Sequence, residues 1–424
     1  MNTLFKNATV LLPDGTTKPA DIAVQGNKIA HVGSVAPDWQ ADRIIDASEK
    51  LAVPGFVNAH THASMTLLRS YADDMNLMDW LQNKIWPIEA KMKKDDIYWG
   101  AMLAAVEMIK SGTTTFADMY GDMEKVAEAA IQSGLRAVLS RGMIGSAPNG
   151  ETAFEENKQL FRDYNNAADG RITVMFGPHA PYTCPPAFLR RVAATAQEMH
   201  AEVHIHLAET KGEVENCLKD YGKTPIELME DTGILECGVL GAHCVYLSDH
   251  DIQLMAKYHV RAAHNPGSNM KLASGIAPVT KLLQAGVCVG LGTDGASSNN
   301  NLDMLEEIRL AALLHKVDTL DPLAIPAMEA VRMGTEYGAR AVGIKNTGRL
   351  EAGQLADITL FAMKGAAWCP RYDLTSLLVY SADSSSVDTV MADGKILMEN
   401  RNLLTLDEER ILFEANRCAM RISK

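Results

Sequence analysis

The sequence predicts an α/β fold: a (β/α)8 barrel carrying a small β-sandwich domain assembled from both ends of the chain. Three patterns predict it. The middle of the chain repeats one unit: an amphipathic helical stretch, a glycine, then a short β-branched run. Both ends read instead as β-hairpins. Polar residues able to bind a metal recur just after the β-branched runs, and chemistry in such barrels gathers at the C-terminal ends of the strands.

Taken in order, residues 21–33 alternate around Gly26-Asn27, a hairpin signature. The apolar stretch 51–58 runs into His60-Thr61-His62. A helix over 97–110 closes near Gly112 before a strand at 113–116, and a helix over 126–132 reaches Gly134 before 135–139. Helix 188–199 precedes strand 202–206, strand 238–242 follows, and helix 278–284 stops near Gly286 before strand 287–291. Glycine suits the left-handed position just past a helix. A helix over 301–314 continues the pattern, and 356–361 and 387–397, the latter with an Asp393-Gly394 turn, return to β structure. The expected division is 1–55 for the first part of the sandwich, 56–352 for the barrel, and 353–424 for the second part with a C-terminal helix.

The chain has 424 residues, 47% hydrophobic and 22% charged, an ordinary globular composition. No apolar run approaches the ~18 residues of a membrane span. The first seven residues lack the basic region and apolar core of a secretory signal, so a cytoplasmic location is expected. A formal charge of −13 argues against a nucleic-acid backbone as partner. Seven scattered cysteines (184, 217, 237, 244, 288, 369, 418) without a Cys-x-x-Cys form neither a disulfide framework nor a zinc ribbon and read as free thiols in a reducing compartment.

Side chains two apart on a strand share a face at about 6.6 Å, so His60 and His62 can lean onto one ion; neutral imidazole is the commonest ligand for such metals. Alone, the pair reads equally as two hydrogen-bonded residues near a loop. The later strand ends add His206 with Glu209 three positions on, His243, and Asp294. Imidazoles and a carboxylate at four strand ends suit one divalent cation. Of the second His-x-His, His206 lies nearer its strand end and Glu209, whereas His204 sits one layer deeper and reads as a packed, hydrogen-bonded residue. The run from Gly290 to Gly295 matches Gly-x-Gly-x-x-Gly, but the next helix does not open at its last glycine and no strand ending in an acid follows about twenty residues on, so a dinucleotide site is disfavoured. Neither a phosphate-binding Gly-x4-Gly-Lys-Ser/Thr loop nor a Gly-x-Ser-x-Gly elbow occurs.

At this level the chain resembles the amidohydrolase superfamily over essentially its whole length. The residues carrying the resemblance are Pro54 to His62, Val203 to Glu209, Gly241-Ala242-His243-Cys244, Gly292-Thr293-Asp294-Gly295 and Gly348 to Asp357. Within it, Met78-Asp79-Trp80-Leu81, Ile85-Trp86-Pro87-Ile88-Glu89, Gly177 to Tyr182 and His264 to Leu272 resemble the 5′-methylthioadenosine/S-adenosylhomocysteine deaminases. The resemblance implies a metal-dependent hydrolase barrel holding one divalent ion per subunit, zinc, through His60, His62, His206 and Asp294. It also implies a small purine nucleoside as substrate, with Glu89 accepting from both ribose hydroxyls, His179 donating to the purine ring, Trp80 covering the nucleoside and Arg141 meeting the amino-acid end of a homocysteine substrate. Binuclear relatives bridge two metals with a carboxylated lysine, and no lysine stands at the middle strand ends here. Relatives assemble as dimers or tetramers, which allows a homo-oligomer; membrane and nucleic-acid partners are not expected. Plainer readings are that Trp80 is core, that Glu89 is a solvated helix charge and that Arg141 balances surface acids. One departure stands out: relatives that handle S-adenosylhomocysteine have a second arginine soon after the first, whereas 142–161 contains none, with Ala153 near the expected place.

The implied reaction is hydrolytic deamination of the 6-amino group of an adenosine-type nucleoside (5′-methylthioadenosine, S-adenosylhomocysteine, adenosine or another 5′-modified adenosine). In it Asp294 takes a proton from the attacking water, Glu209 protonates the ring nitrogen and then the leaving ammonia, and His243 orients the water. Alternatives are a deaminase of guanine or an oxidised purine, a triazine hydrolase, or a catalytically silent barrel scaffold.

Overall fold

The computed structural model describes residues 1–36 and 39–424. Eight parallel strands lie side by side in chain order: Phe56–Thr61, Thr113–Tyr120, Arg136–Met143, Ile172–Pro178, Val203–Leu207, Val239–His243, Arg261–His264 and Val289–Leu291. The helices expected between them are present with shifted ends. The helix expected over 97–110 starts at Lys94, because the Asp96 carboxylate accepts the Lys93 N–H at 2.6 Å and caps the first turn. The one expected over 301–314 runs Met304–Thr319, capped by Asp303 through the Leu305 N–H at 2.9 Å. Strands Ile172–Pro178 and Arg261–His264 had no counterpart in the sequence reading.

The eighth strand closes on the first through a short seam. The Asp294 N–H donates to the His60 carbonyl at 2.9 Å. Asn58 accepts the Thr293 N–H at 3.0 Å and donates to its hydroxyl at 2.7 Å. Gly292 permits this approach, since a Cβ there would stand 2.7 Å from the His60 nitrogen and 2.8 Å from its oxygen. That glycine of the Gly-x-Gly-x-x-Gly match therefore serves barrel closure rather than a phosphate.

Val57, Val138, Met175, Leu240 and Ala263, from five strands, pack together inside the barrel. A larger apolar layer lies between strands and helices and includes Met108, Phe116, Leu139, Phe176 and Leu189.

Strands from the two ends of the chain form one mixed nine-stranded sheet, joined where Lys50–Pro54 pairs antiparallel with Ile358–Ala362. Its hairpins turn where expected, with Gln25 opposite Lys28 and Ala392 opposite Lys395. The sheet meets the barrel at Gly134, which ends helix Met123–Ser133 with φ 88°, and where a Cβ would lie 2.6 Å from Leu397. It meets it again at Arg136, buried against Asp393 at 2.9 Å and Asp357 at 3.6 Å. The C-terminal helix Glu408–Ile422 is tied to helix Lys94–Lys110 by Lys110 and Glu408 at 2.6 Å. Among the described residues no helix is long and apolar enough to cross a membrane, and all seven cysteines are free.

Candidate active site

His60 and His62 leave the first strand, His206 the fifth, His243 the sixth, and Asp294 follows the eighth. Their donor atoms converge: His60, His62 and His206 form one group with all ligand atoms within 4.8 Å of one another, and His60, His243 and Asp294 form a second. Backbone carbonyls set the ring orientation. His62 Nδ1 donates to the Met119 carbonyl at 2.6 Å and His206 Nδ1 to the His179 carbonyl at 2.7 Å, which leaves both Nε2 lone pairs aimed inward. Those two Nε2 atoms face each other at 3.3 Å, and His62 Nε2 lies 3.2 Å from Asp294 Oδ1. His60 Nε2 is buried without a hydrogen-bond partner. Several lone pairs meeting in one buried space repel unless a cation stands among them, so the donor set fits a divalent metal. Burial disfavours a charged His62, but the hydrogen bond and charge of Asp294 outweigh it and lift its pKa to about 9.

His204, expected to be a deeper packed residue, holds the ring of His60. Its Nε2 lies 2.8 Å from His60 Nδ1 and its Nδ1 3.1 Å from the Ser140 hydroxyl, which donates to the Asp118 carbonyl at 2.9 Å. This chain directs the His60 Nδ1 proton toward His204 and frees Nε2 for a ligand. Asp294 is anchored by its other oxygen, which accepts from the hydroxyls of Ser268 at 2.6 Å and Ser298 at 3.0 Å.

Glu209 is buried beside the cluster, 3.8 Å from His243 Nε2, and accepts from the Ser274 hydroxyl at 3.2 Å. Burial raises its pKa, with Asp294 adding to the shift. Glu213 clamps the turn that presents it: its carboxylate accepts the N–H groups of Ala208 at 2.9 Å and Glu209 at 2.8 Å. His243 Nδ1 faces Asn269 Oδ1 at 2.8 Å, so Nδ1 carries the proton and Nε2 points into the site as an acceptor.

A cavity of about 330 Å³ opens over this cluster. Trp80, Glu89, Arg141, His179, Glu209, His243 and three of the four expected metal ligands line it; His60 lies beneath. Trp80 is buried and donates its indole N–H to the Ala72 carbonyl at 3.0 Å. Glu89 receives the hydroxyl of Tyr120 on one oxygen. His179 pairs through Nδ1 with the Thr183 hydroxyl at 3.0 Å, and burial holds its pKa down at about 3. Arg141 also pairs with Glu156 at 2.7 Å.

Residues 51–397 match the model of the amidohydrolase family. The chain belongs to the amidohydrolase family. This amidohydrolase is 55% identical, over 99% of its length and 99% of the other's, to a 5-methylthioadenosine/S-adenosylhomocysteine deaminase of Pelotomaculum thermopropionicum. Among solved structures it superposes with a TM-score of 0.95 on an adenosine deaminase from Xanthomonas campestris with bound zinc, at 32% identity over 99% of this chain and 98% of that one. A zinc complex of an atrazine chlorohydrolase from Arthrobacter aurescens superposes at 0.92, with 26% identity over 98% of this chain and all of that one.

The amidohydrolase site also contains Tyr120, Glu213, Ser268, Asn269, Ser274 and Ser298, which the sequence reading did not single out as site residues. Ser268 and Asn269 lie inside the stretch from His264 to Leu272, whose resemblance was the one available signal. Tyr120 ends a strand, as His243 does, and that position was its signal.

Proposed function

We propose that this amidohydrolase is a metal-dependent aminohydrolase that converts the 6-amino group of 5′-methylthioadenosine or S-adenosylhomocysteine to the inosine form and ammonia. The observation carrying this reading is the metal-ligand cluster with a buried, raised-pKa Glu209 beside it, in a chain half identical to deaminases of those two nucleosides. His60, His62, His206 and Asp294 hold one divalent ion, zinc by analogy with the zinc-bound structural relatives. That ion supplies Lewis acidity and draws a water's pKa toward about 7.

The chain's own groups move the protons. Asp294, with Oδ2 tied to two serines, takes a proton from the attacking water through Oδ1. As the water oxygen bonds to C6, Glu209 donates its proton to the adjacent ring nitrogen; burial favours the protonated form. Glu209, now a carboxylate, takes the hydrogen left on the C6 hydroxyl and passes it to the amino group; the C–N bond breaks, C6=O forms, ammonia leaves, and the proton held by Asp294 returns to Glu209. His243, whose Nδ1 donates to Asn269 Oδ1, presents Nε2 to accept from the water and orient it. Glu89 offers its second oxygen to the ribose hydroxyls while Tyr120 fixes the first. For His179 to donate to the purine, Thr183 turns its hydroxyl proton from the Ala180 carbonyl to Nδ1, which leaves the proton on Nε2. Trp80 walls the nucleoside in, and Arg141 is the cation available to a homocysteine carboxylate.

The zinc-bound atrazine chlorohydrolase likeness favours a second reading, hydrolysis of a triazine on the same site. Glu89→Ala separates the two. It should lower kcat/KM for 5′-methylthioadenosine by about a hundredfold, the scale of losing a charged hydrogen-bond partner, and leave free adenine turnover much less affected. Equal losses on both, or turnover of triazines alone, contradict the nucleoside reading.

A further inference from the structure

With the purine at the imidazoles and the ribose at Glu89, the 5′ substituent is left to the rest of the wall, which includes Met119, Arg141 and Ile144. Arg141 is the one lysine or arginine in that wall among the described residues, whereas Glu89, Asp122, Glu209 and Asp294 also line it. This cation is already engaged. Its Nε lies 2.7 Å from Glu156 Oε2, and Nη1 donates to the Gly142 carbonyl. Glu156 sits on helix Gly150–Tyr164, outside the cavity wall, one turn beyond the buried Ala153. The neighbouring acids have other partners, Glu151 with Arg191 at 2.6 Å and Glu155 with Lys158 at 2.8 Å. Glu156 is therefore the acid matched to Arg141.

Resting on the nucleoside reading above, we propose that Glu156 determines specificity: by neutralising Arg141 it turns the site toward adenosines with an uncharged 5′ substituent and away from those ending in an amino acid. An incoming carboxylate has to share Arg141 with a carboxylate already bound, in a pocket where acids outnumber cations, and like charges brought together lower affinity. A thioether methyl group meets Met119 and Ile144 and needs no counter-ion. Glu156 touches no substrate atom in this account and acts through Arg141.

Steady-state kinetics of the metal-loaded enzyme on 5′-methylthioadenosine and S-adenosylhomocysteine test this. The wild type should prefer the methylthio substrate. Glu156→Gln should raise kcat/KM for S-adenosylhomocysteine about fivefold, the scale of one partly exposed ion pair. The gain should lie in KM, shrink at high salt, and leave the methylthio substrate within about twofold. Arg141→Met gives an independent reading: in that background Glu156→Gln should no longer lower the KM for S-adenosylhomocysteine, because Glu156 acts through Arg141. A wild type that prefers S-adenosylhomocysteine overturns the proposal. So does a Glu156→Gln enzyme whose KM for it is unchanged or higher, or a Glu156→Gln gain that persists in full in the Arg141→Met background. A wild type that deaminates neither nucleoside refutes the functional reading instead.

Discussion

The two ends of the barrel arrange their charged groups differently. Where the barrel meets the terminal sheet, Arg136 is matched to Asp393 and Asp357, and Asp357 also receives the Thr347 hydroxyl and the Asp393 N–H, each at 2.7 Å. At the mouth, His60 Nε2 and Asp118 Oδ2 are buried without partners, and the Nε2 atoms of His62 and His206 face each other at 3.3 Å. Ala208, His243, Cys244 and Asp294 follow their strands in left-handed conformations, with φ between 51° and 72°, each costing on the order of 1–3 kcal/mol. Strain and unmatched polar atoms are not confined to the mouth, since Arg136 Nε lacks a partner and Asp393 has φ 49°; what sets the mouth apart is that its imidazoles and carboxylate converge on one point, while at the other end each charge faces an opposite one.

Substitutions at the two ends should therefore separate cleanly. The largest effect on turnover is expected for Glu209→Gln, which keeps metal and fold but loses about two to four powers of ten in kcat, the range of general acid–base catalysis. Metal analysis alongside kinetics checks it, and a variant that loses its metal has the wrong role assigned. Arg136→Met should do the reverse, costing about 3–5 kcal/mol of stability by leaving two carboxylates unpaired while kcat per folded molecule stays the same. Denaturant unfolding and active-site titration read the two quantities apart. His204→Phe should weaken metal binding about 10- to 100-fold, because His60 Nδ1 loses the acceptor that orients its ring; competition with a chromophoric chelator measures this directly, and an unchanged affinity removes His204 from the site.

The smallest effect concerns pH. Burial lifts the Glu307 pKa to about 8, although the Gly267 N–H and the Asn299 amide donate to it. A carboxyl with a raised folded pKa stabilises fully below its unfolded value, about 4.3, and that stability is lost as pH rises through about 8. Glu307→Gln, neutral throughout, should gain in Tm relative to the wild type as pH goes from 5 to 8. A gap between the two that stays constant over that range would mean Glu307 is ionised throughout.

What was legible in the sequence was local. A helix closed by glycine and followed by a β-branched run states its own structure, so strands ending at His62, His206 and His243 and the loop carrying Asp294 stood out. Strand Arg261–His264 did not, because four residues carry too little alternation and their pairing comes from neighbours on either side. The His-x-His at 204 and 206 showed two imidazoles on one face, but not that His204 reaches across to a residue 144 positions away. Tyr120 and Glu89 belong to different elements, as do Asn269 and His243, and Arg141 and Glu156. Those pairings exist only once the barrel has closed.

The central claim is that one cation gathered by His60, His62, His206 and Asp294 is required for deamination. Zinc titration of the chelator-stripped protein, following bound metal and 5′-methylthioadenosine turnover together, tests it most directly. Activity should be absent at the start, rise linearly and saturate at one equivalent per chain. Turnover that survives complete stripping, or full zinc binding without any turnover, would contradict the account.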